Sequence, residues 1–150
     1  VALHLVVQSY RIVRRSVSGL TDEMDQTSLK ELSAAIQKNI KPGIINIHNL
    51  RAIRSGPFHH IDAHLIIPEF WDVATAHKLT HDFEKNVVHL YPYEGEFAFH
   101  LDPCNRKYCV GCDVKECPVR QAAFIKKYSF ESQDMIQSVT NIVANLDAKG

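Results

Sequence analysis

A chain of 150 residues holds one core comfortably, and at 45% apolar and 23% charged residues it is globular rather than disordered. Seventeen Lys and Arg balance seventeen Asp and Glu, so the net charge is zero and the basic excess of a nucleic-acid binder is missing. There is no Gly-rich phosphate loop or repeat, and no segment reaches the roughly 18 consecutive apolar residues of a membrane span. Nine His, and four Cys confined to residues 104–117, are left to explain.

The chain opens in mid-pattern, as a piece of something larger would. Val1 to Val7 form an apolar run that meets Arg11, Arg14 and Arg15, and it lacks the cleavage site of a signal peptide. Val6, Tyr10, Val13, Val17 and Leu20 keep helical spacing, which suits either the last turns of a membrane helix entering a basic flank or an ordinary amphipathic helix. Thr21-Asp22-Glu23 reads as a hinge. Ser28 and Glu31 predict a capping box for a helix with Leu29, Leu32, Ile36 and Ile40 as its stripe, stopped by Lys41-Pro42-Gly43. Two β-rich runs follow, Ile44 to Ile53 and Phe58 to Ile67, joined by Arg54-Ser55-Gly56-Pro57 as a hairpin. Asp72 caps a helix with Val73, Ala76, Leu79, Phe83 and Val87 as its core face. Glu96 to Leu101 is a third strand. The order helix, strand, strand, helix, strand predicts an α+β layer, with helices on one face of a three-stranded sheet. A last helix from about Ser132, with Ile136, Val139, Val143 and Leu146, would cover the sheet or a second copy of it.

Strand parity sorts the polar side chains. His60, Asp62 and His64 share one face of the second strand, and Glu96, Ala98, His100 and Asp102 one face of the third. Asn46 and His48 lie opposite Ile45 and Ile47. The apolar faces must meet the helices, so the imidazoles line the outer face. A hairpin centred on Gly56 sets His48 across from His64, with Cβ atoms roughly 4.5–5.5 Å apart, within reach of one ion. His77 and His81 hold the i, i+4 spacing of a helical ligand pair. Imidazole with carboxylate suits zinc, iron, cobalt or nickel.

Ile47-His48-Asn49-Leu50-Arg51, Ser55-Gly56-Pro57, Ile61-Asp62-Ala63-His64-Leu65, Ala76-His77 and His100-Leu101-Asp102-Pro103 occur in that order, after Gly19-Leu20-Thr21-Asp22. Over residues 1–103 the chain therefore resembles the cytoplasmic C-terminal domain of the cation diffusion facilitator family. The resemblance implies an αββαβ, ferredoxin-like (metallochaperone-like) domain that forms a homodimer beneath a proton-coupled divalent-cation exporter. Residues 1–21 would then be the end of the last membrane helix and a linker, and residues 22–103 the metal-binding domain. The implied ligands are His48, His64, His77 and His100, with Asp102 bridging two ions. The implied location is the cytoplasmic face of a membrane, a bacterial inner membrane, as part of an integral membrane protein. The partners are the protein's own transmembrane portion, which this chain lacks, and divalent metal ions.

Residues 104–150, the Cys-rich segment and C-terminal helix, are an addition to that pattern. Disulfides among Cys104, Cys109, Cys112 and Cys117 would close only tiny loops, so a reducing compartment with metal-binding thiolates is expected. The spacing C-x4-C-x2-C-x4-C suits tetrahedral zinc. Its first three Cys also read as the opening of a plant-type iron–sulfur motif, although the fourth normally lies much further on. The expected function is a regulatory, zinc-binding domain of a cation efflux transporter and not an enzyme. The alternative is a free-standing metal chaperone or sensor. A hydrolase with zinc on His64, His100 and Asp102 would need an enclosed pocket and a general base, which an open sheet face does not supply.

Overall fold

The computed structural model describes residues 1–20 and 26–137. Its elements are α1 (Ala2–Leu20), α2 (Gln26–Asn39), β1 (Asn46–Ser55), β2 (Phe58–Ile67), α3 (Val73–Leu90), β3 (Gly95–Pro103), a 3-10 turn (Arg106–Gly111) and α4 (Ser132–Ile136). From α2 to β3 this is the expected αββαβ order. The sheet runs β1-β2-β3, with β1 and β2 antiparallel and β2 and β3 parallel, so α3 is the crossover that parallel neighbours require. The expected hinge at Thr21-Asp22-Glu23 and the positions of Val139, Val143 and Leu146 lie outside the described residues.

Alternation decides which side of the sheet is dry. Ile47, Ile61, Ala63, Leu65 and Phe97 point inward and meet Leu29, Leu32 and Ile36 of α2 and Ala76, Phe83 and Val87 of α3. Each of the larger side chains, Leu, Ile, Val or Phe, contributes on the order of 1.5–3 kcal/mol when fully buried. Phe130 and Met135 complete this core, and the Phe130 carbonyl accepts hydrogen bonds from Ser33 Oγ (3.1 Å) and Gln37 Nε2 (2.8 Å) of α2. The segment leading into α4 therefore covers the sheet of its own chain. Helical geometry stops at Gln137, whose backbone is extended. Asp72 caps α3 as expected, its Oδ1 accepting from the Thr75 N–H at 2.7 Å.

Three expectations change. Ser28 is buried inside α2, which already runs at Gln26, so it is not the cap. Val73, the first residue of α3, is 85% exposed and stays off the core face. Ile45 precedes β1 and packs with Ile66, on the opposite side from Ile47. Along α1, Val6, Tyr10, Val13 and Val17 all face solvent, and no helix among the described residues is long and apolar enough to cross a membrane.

The hairpin reaches its register by a detour. Its turn is Gly56-Pro57, closed by the pair Ser55 and Phe58, which offsets the pairing by one residue from a hairpin centred on Gly56. A bulge between His48 and Arg51 takes the offset back, with Asn49 in the left-handed region at φ 52°. Beyond the bulge His48 pairs with His64 after all. The same bulge turns Leu50 inward, where it is fully buried.

Candidate metal centre

Because β2 is central, His64 is the Cα partner of both His48 on β1 and His100 on β3. Three imidazoles therefore form a row across the outer face, with ring centroids 5.1 Å apart for His48 and His64 and 5.0 Å for His64 and His100. Asp102, two residues along β3 on the same face, turns its carboxylate back into this row. Its Oδ2 lies 2.9 Å from His64 Nδ1 and 3.4 Å from His48 Nε2. Each of His48, His64 and Asp102 offers a ligand atom within 4.8 Å of the other two, the one such group of three or more among the described residues.

Burial grades the three. His48 is 1% exposed, while His64 and Asp102 are half-buried. Desolvation pushes the His48 pKa below its ordinary value, and the neighbouring His64 adds to this, while the Asp102 charge opposes it. A neutral imidazole with a free lone pair is the form that binds metal. His48 Nδ1 is buried and has no hydrogen-bond partner. The other ring nitrogen, Nε2, is the one that faces the Asp102 carboxylate, and leaving Nδ1 buried and unpaired costs about 1–3 kcal/mol.

Other expected ligands stand apart. His100 is exposed at the edge of the row. His77 is exposed on α3, its ring stacked near that of His81 at 6.0 Å, and α3 packs on the inner face of the sheet. The sheet therefore separates His77 from His48, His64 and Asp102 within one chain. His60 pairs with Glu96 at 2.7 Å further along the outer face.

The cysteine segment closes the other end of this face. Cys104 N–H donates to the Ile67 carbonyl (2.8 Å), extending the parallel ladder past Pro103, and the chain then folds back over Ile66. Ile45, Ile66, Tyr108 and Cys112 make a second small core, flanked by Cys104, Val114 and Tyr128. All four cysteines are free thiols, and burial raises the Cys104 pKa, with Cys112 and Cys117 near enough for their charges to add to it. No three of the four sulfurs lie within 4.8 Å of one another.

Two residues that sequence reasoning passed over organise this region. Tyr108 is 2% exposed, its hydroxyl has no partner, and burial, with the Asp102 charge second, pushes its pKa up. Arg120 spreads its guanidinium over four carbonyls, Nη1 donating to Cys109 and Ala122 and Nη2 to Cys112 and Val114, at 2.6–3.3 Å. Their signal in the sequence was slight: an aromatic directly before Cys109, and an Arg three residues after Cys117.

Comparison with known proteins agrees with this architecture. Residues 24–104, more than half of the chain, match the family model described as "Cation efflux protein, cytoplasmic domain". Curated relatives include the cation-efflux pump FieF of Serratia proteamaculans, 33% identical over 64 residues (43% of this chain, 21% of the relative). The FieF of Yersinia enterocolitica is 34% identical over 62 residues (41% and 20%). The chain thus spans about a fifth of the length of the curated relatives it matches. A solved structure of CzrB shares the fold with a TM-score of 0.50 at 22% identity, over 55% of this chain and 99% of that one. The family match starts two positions ahead of α2 and ends just past Asp102, enclosing the whole His/Asp cluster and leaving most of the cysteine segment outside. The chain belongs to the family of cation efflux protein cytoplasmic domains.

Proposed function

We propose that this chain is the cytoplasmic, dimerising, metal-binding regulatory domain of a divalent-cation efflux transporter, with zinc as its ion. The observation that carries the reading is the His48–His64–Asp102 cluster, held within 4.8 Å on the outer face of a cation-efflux domain. Two imidazoles and a carboxylate make three protein ligands and leave a fourth position open, a donor set that suits zinc. His48, His64 and Asp102 hold the first ion. A second ion uses His100 and the far side of Asp102, and its remaining imidazole is His77 of a second copy, since the sheet keeps His77 away within one chain. Metal binding neutralises the carboxylate and joins two copies, which favours one geometry of the dimer and, through it, one state of the membrane portion. Protons compete for the same imidazoles, so affinity falls on acidification.

The test is zinc titration of the reduced 150-residue chain by calorimetry, with analytical ultracentrifugation of the apo and loaded forms, for the wild type, His64→Ala and Asp102→Ala. The expected result is a zinc-binding event, coupled to a change in sedimentation, that both variants lose. Zinc uptake and sedimentation unchanged by either substitution would overturn the reading.

A further inference from the structure

Residues 104–128 form a segment of some two dozen residues whose regular structure is one 3-10 turn. Loops that long within a compact domain are functional or disordered as a rule. This one is ordered, without a disulfide, by contacts directed at the backbone around its cysteines. Arg120 gathers the carbonyls of Cys109, Cys112 and Val114, and the N–H groups of Ile125 and Lys126 donate to the Val110 carbonyl at 2.8 and 3.3 Å. The Gln121 N–H points at Cys109 Sγ from 3.5 Å. Arg106, bound to Glu69 at 2.7 Å, lies near enough to Cys104 and Cys109 to feel their charges. The loop thus concentrates four thiols, two guanidinium groups and a sulfur-directed amide, and it spends its hydrogen bonds on holding Cys109 and Cys112 in a fixed turn.

We propose that Cys104, Cys109, Cys112 and Cys117 form a second metal site, an all-thiolate tetrahedral centre that takes zinc. It is separate from the His/Asp cluster and lies next to it, just past the end of β3. Cys109 and Cys112 come from the pre-set turn, Cys104 from the end of β3, and Cys117 from the arm that Arg120 follows. Zn–S bonds of about 2.3 Å set neighbouring sulfurs roughly 3.8 Å apart. The ion therefore draws the thiols closer than they stand without it, mainly by rotation about χ1. Each thiol that binds gives its proton to solvent, and the charge of the ion together with the Arg120 guanidinium offsets the resulting negative charge, Arg106 being paired already with Glu69. The site stands or falls independently of the function proposed above. Where both hold, the thiolate ion fixes the turn that seats Tyr108 beside Asp102.

Cobalt(II) titration of the reduced, anaerobic chain tests this, because tetrahedral cobalt–thiolate coordination gives an intense sulfur-to-metal charge-transfer absorption that imidazole and carboxylate do not. The wild type and His64→Ala should both develop the band, saturating at about one cobalt per chain, and zinc should bleach it. Cys109→Ser/Cys112→Ser should lose it while keeping the His64-dependent zinc event. Should that double variant fail to fold, Cys117→Ser alone should shift and weaken the band. A wild type with no band, or one purified with iron and acid-labile sulfide on these cysteines, overturns the proposal. A band lost in His64→Ala also overturns it, since the two sites would then be one.

Discussion

His48→Leu separates what the imidazole costs the fold from what it does for metal. His48 is 1% exposed, its Nδ1 has no partner, and its Nε2 stands 3.4 Å from Asp102, beyond a good hydrogen bond. Leu has a similar volume, and volume-conserving apolar swaps cost less than about 1.5 kcal/mol. The orphaned nitrogen that it removes costs about 1–3 kcal/mol. The apo variant should therefore be as stable as the wild type or more stable, by up to about 2 kcal/mol. At roughly 2–4 °C per kcal/mol for a chain this size, its apo Tm should rise by up to about 8 °C. Zinc should reverse the ranking. At a free concentration a hundred times Kd, a site stabilises the wild type by about 2.7 kcal/mol, and His48→Leu should lose that contribution. The assay is thermal unfolding with and without zinc, alongside His64→Ala to isolate the share due to this cluster. An apo variant destabilised by more than about 1 kcal/mol, or one that keeps the His64-dependent zinc shift, would refute the reasoning.

The same buried imidazole makes the apo domain acid-sensitive. Its folded pKa is below the ordinary 6.5, so as pH falls through 6.5 the unfolded chain takes up a proton that the folded chain does not. Stability should then drop by up to about 1.4 kcal/mol per pH unit until the folded pKa is reached. Urea midpoints measured across that range should show the slope, and His48→Leu should flatten it. Gly43→Ala should cost roughly 2–5 kcal/mol, because Gly43 has φ +102° and an added Cβ would meet the Trp71 ring at 2.0 Å. A loss below about 1 kcal/mol in urea melts would mean that Trp71 swings away freely. Tyr108→Phe removes a buried, unpartnered hydroxyl and should leave apo stability unchanged or raise it by about 1 kcal/mol. A loss of that size would mean that the hydroxyl has a partner.

Much of this was legible because the period of a strand is short and unforgiving. With one face of β2 forced inward by Ile61, Ala63 and Leu65, the side of His64 is fixed without knowing the fold. The pairing of His48 with His64 was reached by a simpler route than the molecule takes. A hairpin centred on Gly56 and a two-residue turn corrected by a bulge give the same partners beyond Asn49, and nothing in Asn49-Leu50 announces the bulge except that Asn tolerates positive φ. The burial of His48 was not legible. It comes from its place on the row, against His64 and Asp102 of the neighbouring strands, and strand parity gives a side chain's face but not how deeply it is covered. Arg120 was missed because a guanidinium serving four carbonyls is a tertiary arrangement with no local pattern. Ser28 shows the converse, a capping motif that is locally valid and overridden by a helix already under way.

The geometry also limits where any metal-driven change can occur. His48, His64 and Asp102 sit on adjacent strands of one sheet and already lie within 4.8 Å of one another, so the first ion closes on ligands that need little movement. A ligand shifts an equilibrium only through its different affinities for two states, and a preformed cluster inside one rigid sheet offers no second state. On the reading proposed here, the states must differ between copies, where His77 meets a neighbour's His100. His77→Ala is then the discriminating variant. His77 is exposed, so the substitution should leave stability within about 0.5 kcal/mol. It should preserve the ion bound by His48, His64 and Asp102 while abolishing the zinc-dependent change in sedimentation. If His77→Ala still sediments as the wild type does when loaded, the dimer closes without it and the ion is held within single chains. If the variant instead loses the His64-dependent zinc uptake as well, the cluster is not self-sufficient, and the two copies must assemble before either can bind.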